Sequence, residues 1–136
     1  MSASIFVGTP TTASIAAGGV LPLSSIFRRQ CGCISQLGSD SVVLSRPGYY
    51  KITATETFTA PAAGVVALRL TQDGAAVPGV TASTTITTAT TEVRSLCVSG
   101  IVKVGCCNGS SALQLVNNGV AITTSNISLD VEYLGQ

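Results

Sequence analysis

The chain has no histidine and no tryptophan, and only six acids and seven bases in 136 residues. Without histidine, the commonest general base and the commonest metal ligand are both missing. Ser-His-Asp and Cys-His catalytic sets are therefore excluded. Aromatic residues are scarce, three Tyr and three Phe, which argues mildly against a sugar-binding cleft. No apolar run approaches the ~20 residues of a membrane-spanning helix. The longest, Ala60 to Leu68, is interrupted by Pro61 and Gly64 and ends at Arg69. A formal net charge of +1 creates no long-range field, so neither nucleic acid nor membrane is expected as a partner. Arg28-Arg29 is the only basic pair and reads as two solvated or locally paired cations. Gly18-Gly19 has no strand-to-helix context and carries no phosphate-loop signal.

Low charge has a second consequence. Charged residues make up 10% of the chain, against about 25% in ordinary soluble domains. Hydrophobic residues make up 46%, and the mean hydropathy is +0.52. Such a chain cannot cover its surface with charge, so part of that surface is expected to be hidden in an oligomer or a larger assembly. The remaining polarity comes from 33 serines and threonines. Threonine suits strands, because its β-branched side chain sits well on a pleated surface.

Strand signals fill the chain from Gly48 onward. Tyr50, Ile52, Ala54 and Phe58 alternate with Lys51, Thr53, Thr55, Thr57 and Thr59. Glu56 falls on the apolar face, as either a solvated strand end or a buried carboxylate paired with an arginine. Val66, Leu68 and Leu70 continue the alternation, and Asp73-Gly74 is a strong hairpin signal. Pro78-Gly79 reads as a second turn, and Val80 to Thr91 as strand plus loop. Leu96, Val98, Val102 and Val104 share one face of a strand with a bend at Gly100. Ile127, Leu129, Val131 and Tyr133 alternate with Ser128, Asp130 and Glu132. Turns recur every 8–15 residues or so and no stretch has a 3.6-residue period, the rhythm of an antiparallel all-β sandwich or jelly roll.

The N-terminal third is less regular. Val20 to Leu23 and Ser25 to Phe27 read as short strands, with Pro22 placing the first at an edge or bulge. Residues 1–19 read as a polar N-terminal anchoring segment, and residues 20–136 as a single β-sandwich domain. The N-terminus lacks the basic region and long apolar run of a secretory signal, which predicts synthesis in the cytoplasm. Asp130 and Glu132 lie on one strand face as a carboxylate pair might, but an exposed face of the last strand explains them more simply.

Five cysteines leave three readings open: reduced thiols, disulfides linking the 31/33 and 106/107 regions, or a cysteine-only metal site. The thiol cluster Cys31, Cys33, Cys106 and Cys107 lacks the C-x-x-C spacing of zinc ribbons, and neither metal nor cofactor is expected. Tyr49, Tyr50, Phe58 and Tyr133 are the expected core or interface aromatics, because aromatics bury the most area per residue.

Gly48-Tyr49-Tyr50-Lys51-Ile52, the Leu68-to-Val77 hairpin and the strands of Ser110 to Leu134 resemble the jelly rolls of the tumour-necrosis-factor and C1q type. Members of that group are usually trimers, which implies a homotrimer with apolar threefold contacts. A second likeness is to small proteins of phages and prophages of Gram-positive gut bacteria. It rests on Gly18-Gly19-Val20-Leu21-Pro22-Leu23, on Arg28-Arg29 followed by Cys31-Gly32-Cys33, on Gly48-Tyr49-Tyr50 and on Cys106-Cys107. This resemblance implies a non-enzymatic virion protein made in the host cytoplasm, such as a capsid decoration or head fibre. Its partners would be other virion proteins such as the major capsid protein, with attachment through the N-terminal segment. The alternatives are a receptor- or glycan-binding tip of a tail fibre, with Thr84–Thr91 as a contact loop, and a spore- or cell-surface jelly roll.

Overall fold

A computed structural model describes residues 3–30, 34–105 and 110–135. Strands β1 (Ser4–Thr9), β2 (Ala13–Ile15), β3 (Ser25–Gln30), β4 (Ile34–Leu37), β5 (Ser41–Leu44) and β6 (Gly48–Thr59) fill the first part. Strands β7 (Gly64–Gln72), β8 (Ala75–Ile86), β9 (Arg94–Val104), β10 (Ser111–Asn117) and β11 (Ile122–Gly135) follow. One sheet has the order β3-β1-β11-β6-β9, with β2 also paired to β11. The other has the order β4-β5-β10-β7-β8. Every pairing is antiparallel. From β5 to β11 the chain switches sheets at every connection except the β7–β8 hairpin. This is a jelly-roll sandwich, as the alternation predicts.

Alternation decides which side chains meet between the sheets. On β6, Tyr50, Ile52, Ala54 and Phe58 are buried and the threonines between them are not. On β11, Ile127, Leu129 and Val131 point inward against Leu113 and Leu115 of β10 and Leu68 and Leu70 of β7 in one continuous core. Asp73-Gly74 closes the β7–β8 hairpin as a two-residue loop, with Gln72 paired to Ala75. Both residues have positive φ, 52° and 86°, the geometry that the strand twist favours and Asp-Gly supplies. At the start of β6, Gly48 has φ 138°, and a Cβ there would lie 2.7 Å from Gly135 O and from the Tyr133 ring. The glycine before the tyrosine pair is thus required by conformation and by space.

Three expectations change. Pro78-Gly79 is not a turn: it lies inside β8, where the register slips between Arg69 and Thr71 and Gly79 takes φ 83°. A bulge absorbs the proline that a regular ladder would reject. Val20 to Leu23 makes only an isolated bridge, Val20 to Val116, although Leu21 and Leu23 are fully buried. The boundary expected at residues 19–20 separates nothing. β1 lies between β3 and β11, and β2 continues its line along β11. Ile5 and Val7 are core residues, so this segment belongs to the sandwich and is not a free arm.

Deleting Ser4–Thr9 should therefore disrupt the fold. Burial of Ile5 and Val7 is worth about 1.5–3 kcal/mol each, a large share of the ~5–15 kcal/mol that holds a domain together. The thermal transition followed by circular dichroism should fall sharply or vanish. An unchanged transition would show that β1 is dispensable to the sheet.

Candidate functional site

The outer face of the six-stranded sheet is built by the residues that alternate with the core. With Ile5 and Val7 inward, Phe6 of β1 faces out, as do Tyr49 and Lys51 of β6, Ile101 and Lys103 of β9, and Asp130 and Glu132 of β11. A bulge in β3 opposite Phe6 and Val7 brings Phe27 onto Phe6, with ring centroids 5.0 Å apart and edges to face. Leu134 sits in a second bulge, between Tyr133 and Gly135. Lys103 Nζ lies 5.7 Å from the Tyr49 ring centroid, within cation–π range.

Exposure of large apolar side chains is uneven between the sheets. Among the described residues, Phe6, Ile26, Tyr49, Ile101 and Leu134 all come from the six-stranded sheet, with Tyr49 42% and Ile101 58% exposed. Only Val65 comes from the five-stranded sheet, and Val93 from a loop. The outer side of the five-stranded sheet mixes polar groups with small apolar side chains such as Val43, Ala67 and Val116; Gln114 Nε2 there donates to Ser41 Oγ at 2.9 Å.

The acidic residues of β11 sit within this apolar face. Asp130 is flanked by Phe6 and Thr53, and Glu132 by Ser4 and Lys51. Partial burial raises the Asp130 carboxyl above its ordinary value, the hydrogen bond and charge of Glu132 raise it further, and Lys51 opposes both.

The four expected aromatics divide. Tyr50 and Phe58 are core residues, Tyr49 faces out, and Tyr133 is half-buried. Tyr50 and Tyr133 meet edge to face at 5.1 Å. Together they hold the Arg46-Pro47-Gly48 turn: Tyr50 donates to Arg46 O at 2.6 Å and Tyr133 to Pro47 O at 3.0 Å. The Arg46 guanidinium lies 4.4 Å from the Tyr133 ring centroid. Phe6, Phe27, Ile101 and Leu134 were not singled out by alternation. Their signal was non-alternation: Ile5-Phe6-Val7 and Ile101-Val102 place apolar side chains on both faces of one strand, as strands covered on both sides do.

The cluster Cys31, Cys33, Cys106 and Cys107 lies outside the described residues, and Cys97 is exposed on β9. Among the described residues no group of three or more His, Cys, Asp or Glu could hold a metal ion, and no helix is long and apolar enough to cross a membrane. The loop after β8 is ordered by Glu92. Its Oε1 accepts from Thr87 N, Thr87 Oγ1 and Thr88 N, and its Oε2 accepts from Arg94 Nε at 2.7 Å. Arg94 first, then the threonine donors, hold the Glu92 carboxyl down at about 2.

Glu56 corrects both readings of the sequence. It is neither a solvated strand end nor an ion-paired acid. It is completely buried, and neither carboxylate oxygen has a hydrogen-bond partner among the described residues. Burial alone pushes its carboxyl from 4.5 up to about 7.

No protein-family model matches the chain, and no curated protein sequence matches it. Solved structures do. The Eiger TNF of S. frugiperda superposes with a TM-score of 0.75 at 8% identity, covering 100% of this chain and 93% of the other. Murine APRIL at pH 8.0 superposes with a TM-score of 0.66 at 11% identity, covering 98% of this chain and 100% of the other. The same protein at pH 5.0 gives 0.63. The chain is thus a TNF-like jelly-roll sandwich, similar to these structures in fold along its whole length.

The acid in the core carries a pH signature. The folded value of Glu56 lies above the unfolded one, so its stabilising contribution is complete below about 4.5 and is lost as pH rises through about 7. The loss amounts to about 3 kcal/mol. Denaturant titrations of the native chain and of Glu56→Gln should show the native chain losing that much more stability between pH 4 and pH 8. Parallel pH dependences would mean that the carboxyl is solvated in the folded protein.

Proposed function

We propose that this chain is a non-enzymatic, homotrimeric structural protein of a bacteriophage virion, of the capsid-decoration or head-fibre kind. The observation that carries the assembly part is the outer face of the six-stranded sheet. Phe6, Phe27, Tyr49, Ile101 and Leu134 lie on its strands, in a chain with 10% charged residues. An isolated sandwich would leave this surface in water; self-association removes it, and Lys51 and Lys103 beside Asp130 and Glu132 provide opposite charges for a like copy. The TNF-like fold supports threefold assembly. The phage assignment is supported by the sequence likeness carried by Gly18-Gly19-Val20-Leu21-Pro22-Leu23, Arg28-Arg29, Gly48-Tyr49-Tyr50 and the cysteine clusters. Because β1 and β2 are built into the sandwich, attachment to other virion proteins such as the major capsid protein falls to the surface of the sandwich and not to a free arm.

Light scattering should give the native mass of three copies of the 13.7 kDa chain, about 41 kDa. Ile101→Asp, which places a charge in the apolar face, should lower the mass to that of one chain while the β-type circular dichroism spectrum is kept. A native mass of one chain would overturn the assembly reading. Fixed-copy recovery of the chain in density-purified phage particles checks the virion assignment, and its absence from them would overturn it.

A further inference from the structure

Glu56 occupies a particular place in the sandwich. Its two neighbours across the ladder are Ile127 on β11 and Leu96 on β9. They differ in how firmly they are held. β11 is an interior strand, paired with β6 on one side and with β1 and β2 on the other. Among the described residues β9 is an edge strand, paired only with β6. Its far half is tied down: Gln72 Nε2 donates to Lys103 O at 2.9 Å, and Val80 packs over Gly100 so closely that a Cβ there would meet it at 2.5 Å. The first half is tied at its start, where Arg94 binds Glu92 and Glu92 accepts from Thr87 and Thr88 just after β8, and Ser95 shares a hydroxyl hydrogen bond with Thr57 of β6 at 3.0 Å; among the described contacts no hydrogen bond joins Ser95 to Val98 to the other sheet. Leu96 is 7% exposed, the highest value in the buried apolar core.

Among the described residues no other charge competes for the Glu56 carboxyl. Inward side chains of β7, β8, β9, β10 and β11 are apolar, amide or hydroxyl. Arg94 lies on the same side of β9 as Leu96, but its guanidinium is bound to Glu92. Lys51, Asp130 and Glu132 lie on the outer face of the six-stranded sheet, and Arg69 on the outer face of the other, opposite to Leu68 and Leu70. A cavity of about 220 Å³, lined by Phe58, Val93, Thr12 and Thr123–Ser125, opens to solvent at the same end of the sandwich, with Phe58 two residues from Glu56 on the same strand face.

We propose that Glu56 is a proton-controlled latch on the β9 edge: protonated, it lets the first half of β9 close over the core, and ionised, it draws water in and releases Arg94–Val98 while the rest of the sandwich stays folded. The step moves one proton, from the carboxyl to solvent, and breaks main-chain hydrogen bonds of the β6–β9 ladder together with the hydroxyl hydrogen bond between Thr57 and Ser95. This device is independent of the virion reading and of the trimer.

Hydrogen–deuterium exchange on the full chain tests it, at pH 5.5 to 9 with labelling times scaled to the intrinsic chemical rate. With folded and open values of about 7 and 4.5, the opening equilibrium of Arg94–Val98 should rise about tenfold from pH 6 to pH 8 and level off above that. At every pH Arg94–Val98 should open more readily than β5 and β10, whose exchange needs global unfolding and shares the Glu56 pH dependence, and Glu56→Gln should flatten the β9 response. Glu56→Met provides a second neutral replacement if the glutamine variant does not fold. A flat native profile in β9 overturns the proposal without any variant. So does protection of Arg94–Val98 equal to that of β5 and β10 at every pH, which would mean that it opens only with the whole sandwich, or a rise that survives both neutral replacements.

Discussion

The register of β11 is the constraint on which the rest depends. It is bonded to β6 along nearly its whole length, from Thr123 to Gly135, and to β1 and β2 on its other side. Side chains on a strand alternate, so a slip of one residue would carry Ile127, Leu129 and Val131 out and Ser128, Asp130 and Glu132 in. The same ladder places Asp130 beside Phe6 and Glu56 beside Ile127. Core, outer face and buried acid are thus three consequences of one alignment, held by main-chain hydrogen bonds whose number no surface substitution alters.

What was legible in the chain was whatever alternation could write. β6, β11 and the Asp73-Gly74 hairpin stand out because one face is buried and the other is not, and because two positive φ values call for Asp and Gly. β1 was hidden for the opposite reason. Ile5-Phe6-Val7 is apolar on both faces, too short to count as a run, and lies among serines and threonines. Pro78-Gly79 misled because a turn and a bulge use the same residues; only the partner strand distinguishes them. Glu56 was noticed as an interruption of the pattern, but whether an interruption is solvated, paired or stranded depends on strands distant in sequence.

Scarcity of charge takes on a spatial meaning in the fold. The five-stranded sheet mixes amides and hydroxyls with small apolar side chains on its outer side, whereas the six-stranded sheet gathers most of the exposed large apolar side chains around a few charges. A sandwich with equally polar outer faces would not distinguish a partner from solvent. This one does so by sheet, and the structures to which it is similar show the same architecture at 8% and 11% identity. Two sequences so far apart can share a fold because layer order and inward alternation are the only common requirements.

Apolar contact between two sheets is non-directional, so a core alone would allow them to slide on each other by small steps. The crossing at residues 16–21 removes that freedom. β2 is bonded to β11 in one sheet, and the chain just after it is bonded to β10 in the other. Gly18 N donates to Asn117 O and Asn117 N to Gly19 O, while Asn117 Nδ2 donates to Ala16 O and Val120 O. Leu21 N donates to Leu115 O a few residues further on. These bonds have fixed lengths and angles and join the two layers at one corner like a dowel. Gln72 of β7, bonded to Lys103 O of β9, is a second fixed point between the layers, and two such points oppose both sliding and rotation of one sheet on the other.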